Sequence, residues 1–173
     1  MANKHIIKHS ETEIIFKCYV TESNGGNIDI SVQNECTKSS QVYVAPTSIP
    51  DETGGALVDY TGSRVFITGI WWGLKKDKQL DITRIVNPVG PVLHGHYYLL
   101  GAGYYDYTTA GGFADRVYAN KDIRMIFDGP GHCIIKLRKE GWLPKDETVV
   151  FGAYDDPTRI GASTTLSGSP DRV

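Results

Sequence analysis

Residues 123–137, IRMIFDGPGHCIIKL, place two dense apolar runs on either side of a Gly- and Pro-containing reversal. The same arrangement occurs at residues 14–32, where Asn24-Gly25-Gly26 separates two apolar runs, and at residues 64–83, where the reversal lies between Gly73 and Lys78. Strand-length apolar runs joined by Gly, Asn and Asp are typical of antiparallel hairpins. We therefore predict three β-hairpins and an all-β fold, because no amphipathic helical pattern occurs between them.

The faces of these strands differ in polarity. Ile28, Ile30 and Val32 alternate with polar residues, so this strand has one apolar and one polar face. Residues 65–72 are apolar on both faces, and Trp71 and Trp72 must point to opposite sides. A strand that is apolar on both faces needs a second layer or a partner chain over its outer face.

Several short strands that each bury one face form an antiparallel β-sandwich or a jelly-roll-like fold. Gly and Pro spacing and local apolar runs predict further strands at residues 41–45, 96–100 and 104–107, and loops at residues 46–55 and 108–112. The polar ends are expected to be extended arms. The predicted organisation is an N-terminal arm at residues 1–11, a β-sandwich domain at 12–154 and a C-terminal arm at 155–173.

Composition excludes several classes of partner. The chain has 173 residues, a formal net charge of -2, and 18 basic against 20 acidic residues, which disfavours nucleic-acid binding. No apolar run is long enough for a membrane helix, and the N-terminus lacks the apolar segment of a secretory signal, so we expect the chain to fold in a cytoplasm. Cys18 and Cys133 share the parity of apolar strand positions and are predicted to be buried, whereas the pairing state of Cys36 stays open.

Catalytic and metal signatures are weak. His94 and His96 have a spacing that suits two ligands on one strand face, but no third ligand lies nearby in sequence, so a loop-to-strand junction is the favoured interpretation. The sequence contains neither a nucleophile elbow nor a phosphate-binding glycine loop. We therefore predict no enzymatic activity, no catalytic residue, no cofactor and no metal.

Aromatic residues are the best candidates for function. Exposed aromatic side chains stack on sugars and dominate protein interfaces, which leaves two hypotheses: assembly with other proteins, or a carbohydrate-binding module. Assembly is preferred, with the chain contacting its own copies and other subunits. The predicted partner-binding residues are Trp72, Tyr104, Tyr105 and Tyr107, together with Arg159 and Leu166 in the C-terminal arm.

The stretch from Val65 to Trp142 resembles small structural proteins of large tailed bacteriophages. The resemblance is carried by the strand at residues 65–72, which returns at 80–84, by the aromatic segment 103–107, and by residues 123–139. The resemblance covers about 80 of the 173 residues and contains no catalytic signature. It implies a compact β-domain that attaches to a virion as a capsid decoration, neck or tail accessory subunit, located in the virion.

Overall fold

Two antiparallel β-sheets make up the larger of two units in the computed structural model. The structure describes residues 2–46, 48–50, 57–59, 62–108 and 118–145. The larger unit comprises residues 1–38 and 43–141, and the second comprises residues 39–42 and 142–173. In the described part of the second unit, β4 (Gln41–Val42) pairs with β13 (Leu143–Pro144).

The first sheet has five strands in the order β1-β2-β12-β7-β10, and the second has four in the order β3-β11-β8-β9. A separate two-stranded pair in the larger unit joins β5 (Ser48–Pro50) to β6 (Leu57–Asp59). The strands of the five-stranded sheet are β1 (Ala2–His9), β2 (Glu13–Val20), β7 (Arg64–Leu74), β10 (Ala102–Asp106) and β12 (Gly131–Glu140). Those of the four-stranded sheet are β3 (Gly26–Ile30), β8 (Gln79–Asn87), β9 (Val92–Leu100) and β11 (Ile123–Phe127).

All three predicted hairpins are wrong, because each reversal carries the chain from one sheet to the other. β2 leads into β3, β7 into β8, and β11 into β12, and none of these consecutive strands pair. Instead β2 pairs with β12, where Phe16 lies opposite Ile135, and β3 pairs with β11. Each strand has an apolar face, and crossing between sheets lets two such faces cover one another, which a flat hairpin cannot achieve.

The pairing defines two long ribbons, each folded over once. One ribbon pairs β2 and β3 with β11 and β12, and the other pairs β7 and β8 with β9 and β10. In both, one half lies in the five-stranded sheet and the other half in the four-stranded sheet. This is the connectivity of an eight-stranded jelly roll, to which β1 adds a ninth strand. The predicted all-β fold is confirmed.

The core consists of the inward-facing side chains of both sheets. Cys18 and Cys133 lie opposite one another on β2 and β12 and are buried, as predicted, and burial raises the pKa of Cys18 to about 12. Cys36 is also buried, and burial raises its pKa to about 12. The fully buried aliphatic and aromatic residues include Ile14, Phe16, Ile30, Ile67, Ile70, Leu80, Ile82, Ile123, Met125 and Ile135.

A buried arginine ties the two sheets together. Arg84 on β8 has no exposed surface, and its guanidinium donates hydrogen bonds to the carbonyl of Val65 on β7 at 2.8 Å and to that of Lys121 at 2.9 Å. The alternation of Leu80 and Ile82 places Arg84 on the inner face, a position that the sequence analysis did not single out.

Local structure differs from expectation at three places. Residues 2–9, assigned to an N-terminal arm, form β1 and pair with β2. Val32, predicted to end a strand, begins the short helix α1 (Val32–Glu35), because the Ser31 hydroxyl caps it by accepting a hydrogen bond from the Asn34 amide. Residues 48–50, predicted to be a loop, form β5. The predicted C-terminal arm, residues 155–173, lies outside the described residues.

Candidate partner-binding surface

The edge strands β9 and β10 follow one another in the chain and lie at corresponding ends of the two sheets. β9 is outermost in the four-stranded sheet and β10 is outermost in the five-stranded sheet. Gly101 joins them, and its carbonyl accepts a hydrogen bond from the Leu74 amide at 2.8 Å. We call β9, β10 and the preceding turn at residues 88–91 the β9–β10 flank.

An aromatic cluster connects the two sheets at this flank. The Tyr105 ring lies 5.3 Å from the Trp72 ring, 5.8 Å from that of Tyr97 and 6.1 Å from that of Tyr107, measured between ring centroids. Trp72 Nε1 donates a hydrogen bond to the Leu100 carbonyl at 3.0 Å. The register places Trp72, Tyr97 and Tyr105 on the inner faces, opposite Cys133, Ile82 and Ile70. The cluster therefore covers the side of the core between the two edge strands.

Trp71 and Tyr104 lie on the outer face of the five-stranded sheet, where they are directly opposite one another on β7 and β10. The prediction that Trp71 and Trp72 point to opposite sides is thus confirmed. The far edge of the Trp71 ring lies over Gly69, because a Cβ at that glycine would come within 2.8 Å of the ring atoms Cη2 and Cζ3. The strand neighbours of Gly69 are Asp106 and Lys136, so one charged group lies on each side of the ring's position.

Most of the large apolar side chains exposed in the described part of the chain belong to the β9–β10 flank. The exposed fraction is 67% for both Tyr98 and Tyr104, 65% for Leu100 and 54% for Val92. Tyr98 and Leu100 share the outer face of the four-stranded sheet, since they lie opposite Asp81 and Gln79. Exposed apolar surface of this kind marks protein interaction sites. The remaining members of the set are Val89, Leu93 and Tyr105.

The flank carries one charged residue, Asp106 at the end of β10. Residues 85–105 contain no Lys, Arg, Asp or Glu, and this is the longest such stretch in the chain. The other three edge strands of the two large sheets carry charged side chains: Lys4 and Lys8 on β1, Asp29 on β3, and Asp106 at the end of β10. Charged residues on edge strands prevent pairing with other chains. β9 is therefore the edge that is least protected against strand pairing.

The histidines of β9 are adjacent but do not form a metal cluster. His94 and His96 have ring centroids 5.1 Å apart in an edge-to-face arrangement, and the Tyr118 ring packs at the same distance from His94. A bulge at His96 interrupts the strand, because Gly95 lies opposite Thr83 and Tyr97 lies opposite Ile82. Among the described residues, no group of three His, Cys, Asp or Glu could hold a metal ion.

Two polar clusters lie away from the flank. Glu13 accepts a hydrogen bond from Lys8 at 2.8 Å and lies 3.3 Å from Lys136, and these contacts hold the pKa of its carboxyl below the ordinary value. The nearly buried Lys139 has its Nζ 3.0 Å from His9 Nε2 and 3.1 Å from the Ser10 carbonyl. Burial lowers the pKa of Lys139 to about 8.

Of the predicted partner-binding residues, the structure brings Trp72, Tyr105 and Tyr107 into one cluster and places Tyr104 on the outer face beside it. Arg159 and Leu166 lie outside the described residues. Tyr98 and Leu100 of β9 were not among the predicted partner-binding residues, although the uncharged stretch that contains them can be read from the sequence. No helix among the residues that the structure describes is long and apolar enough to cross a membrane.

Comparison of the chain with protein-family models, with curated proteins and with solved structures returns no match.

Proposed function

We propose that this chain is a non-enzymatic structural subunit of a larger protein assembly, of the kind found as accessory subunits of tailed-phage virions, and that its β9–β10 flank contacts a neighbouring subunit. One observation carries the proposal: exposed apolar side chains and the longest uncharged stretch of the chain coincide on a single flank. Burial of apolar surface contributes about 25 cal/mol per Å², so a neighbour that covers residues 88–105 of this flank gains free energy without desolvating a Lys, Arg, Asp or Glu side chain.

The jelly-roll connectivity supports this proposal by analogy, because viral capsid proteins use the same architecture. Lectins also use the jelly-roll architecture, so the analogy supports only the choice of scaffold. The exposed apolar side chains of the flank support the contact with a neighbouring subunit.

Incorporation into particles tests the proposal. Tagged wild-type protein and the double variant Leu100→Lys/Tyr104→Lys are produced during assembly, and the copies per purified particle are counted by quantitative mass spectrometry. We expect the double variant to fold, since both side chains are mostly exposed, but to be depleted from particles at least about tenfold, because Lys ammonium groups would be buried without partners. Ile6→Lys on β1 is the matched control, since Ile6 is 50% exposed on the opposite edge of the five-stranded sheet. Equal incorporation of all three chains would contradict the proposal.

The predicted C-terminal contacts have a separate test. Deletion of residues 157–173 removes both Arg159 and Leu166. We expect the truncated chain to retain the melting temperature of the full chain and to be lost from particles. Normal incorporation of the truncated chain would exclude these contacts.

A carbohydrate-binding module is the second candidate, favoured by the position of Trp71. The edge of its ring lies over Gly69, which pairs with Lys136 on one side and with Asp106 on the other. Sugars combine stacking on aromatic rings with hydrogen bonds to charged groups. A glycan array with wild-type protein and Trp71→Ala tests this candidate. Saturable binding that Trp71→Ala abolishes would support it, and an array without signal would exclude it.

A further inference from the structure

We propose that the neighbour on the β9–β10 flank is a second copy of this chain, with β9 pairing antiparallel to β9 across a two-fold axis. This inference rests on the proposed function and specifies the subunit that the flank contacts. The first observation in its favour is that β9 is an edge strand. One side of β9 pairs with β8, and the other side has no partner strand among the described elements. Strand addition at such an edge supplies main-chain hydrogen bonds, and the side chains on the strand faces add burial.

The absence of charge favours an identical partner. A two-fold contact brings the same patch of both copies together, so any charge near the axis would meet a like charge. The flank contains none between residues 85 and 105, whereas Lys4 and Lys8 on β1 would face their own copies if that edge paired with itself. An apolar patch is also complementary to itself, because exposed apolar side chains on one copy bury those on the other.

The regular half of β9 provides the pairing segment. Beyond the bulge at His96, residues 97–100 pair with β8 without a register shift. Tyr98 and Leu100 project from the same outer face, where aromatic and aliphatic side chains on adjacent strands stabilise a sheet. The hydrogen bond from Trp72 to the Leu100 carbonyl fixes the end of this half, so the segment is already ordered before it meets a partner.

The mass of the purified full chain in solution tests the inference. Light scattering after size exclusion, over a range of concentrations, is expected to give a dimer for the wild type. Tyr98→Lys should weaken the dimer at least about 100-fold, because the two-fold axis places two unpaired ammonium groups in the interface. Ile6→Lys, the matched control on β1, should leave the dissociation constant unchanged. A monomeric wild type at all concentrations, or a dimer that Ile6→Lys disrupts and Tyr98→Lys does not, would overturn the inference.

Disulfide trapping locates the contact independently of stability. All three native cysteines are buried, so a cysteine introduced at an exposed position is the accessible thiol. Under mild oxidation, Tyr98→Cys should form a covalent dimer, and Ile6→Cys should stay monomeric on a denaturing gel. A wild-type dimer that Tyr98→Cys does not trap would overturn the β9 contact. Incorporation into particles together with a monomeric free chain would overturn self-pairing alone, because the flank would then contact a different subunit.

Discussion

The close approach of two chain reversals explains why residue 25 is glycine, and it predicts a large effect of Gly25→Ala. Gly25 lies between β2 and β3 with φ at +81°, and a Cβ there would overlap the Phe127 carbonyl oxygen and lie 2.8 Å from the Asp128 carbonyl carbon. The left-handed conformation costs an alanine about 1–2 kcal/mol. Moving two backbone segments apart adds about 1–3 kcal/mol. We expect Gly25→Ala to lower the free energy of unfolding by about 2–5 kcal/mol in total.

Gly90→Ala is the matched control. Gly90 also has a positive φ, at +60°, but a Cβ there would have no atom within 4 Å. Its substitution should therefore cost only the conformational part, about 1–2 kcal/mol. Urea unfolding followed by circular dichroism compares both variants with the wild type. Equal losses for the two variants would show that the reversals at residues 21–25 and 128–130 do not lie side by side, and would refute the folded-ribbon arrangement.

Three further predictions concern the core, the pH dependence and the aromatic cluster. Arg84→Met should lower the free energy of unfolding by about 2–4 kcal/mol in urea titrations, because the buried carbonyls of Val65 and Lys121 lose a charged donor. Arg124→Met is the control: it breaks the exposed ion pair with Asp29 and should cost less than about 1 kcal/mol. Burial and the neighbouring Lys139 ammonium lower the pKa of His9 from 6.5, so the unfolded chain binds the His9 proton at a higher pH than the folded chain does. The free energy of unfolding should therefore fall as the pH drops below 6.5, and His9→Gln should reduce this slope. An unchanged slope in His9→Gln would exclude His9 as its source. Tyr105→Ala should lower the melting temperature, because the Tyr105 ring contacts the rings of Trp72, Tyr97 and Tyr107. Tyr104→Ala on the outer face is the control and should change the free energy of unfolding by less than about 0.5 kcal/mol.

Alternation in the sequence predicts which side chains face the core, but it does not predict which strands pair. Cys18 and Cys133 could be placed correctly because a strand's period of two depends only on local sequence. Asn24-Gly25-Gly26 is a strong hairpin signal, yet the strands on either side pair with β11 and β12, about 100 residues away in the chain. The same turn residues suit a reversal within one sheet and a crossing between two sheets, so only the long-range pairing decides between them.

The candidate surface was predictable in part. Aromatic composition indicated Trp72, Tyr105 and Tyr107, and the structure brings their rings together. Tyr98 belongs to the aromatic residues that made this surface a candidate, but neither Tyr98 nor Leu100 was among the predicted partner-binding residues. Their exposure depends on β9 lying at an edge, which follows from the strand order and not from local sequence. The uncharged stretch at residues 85–105 was the one available signal, and it becomes informative once β9 and β10 are known to be edge strands.

Amide hydrogen exchange in the assembled and the dissociated states tests the central claim, that another subunit covers the β9–β10 flank. Exchange is followed by mass spectrometry on peptides from β9, β10 and β1. We predict that assembly slows exchange at least about tenfold in residues 97–106 and leaves residues 2–9 unchanged, because strand pairing and apolar burial protect amides. Protection of β1 with unaltered exchange in β9 and β10 would contradict the account.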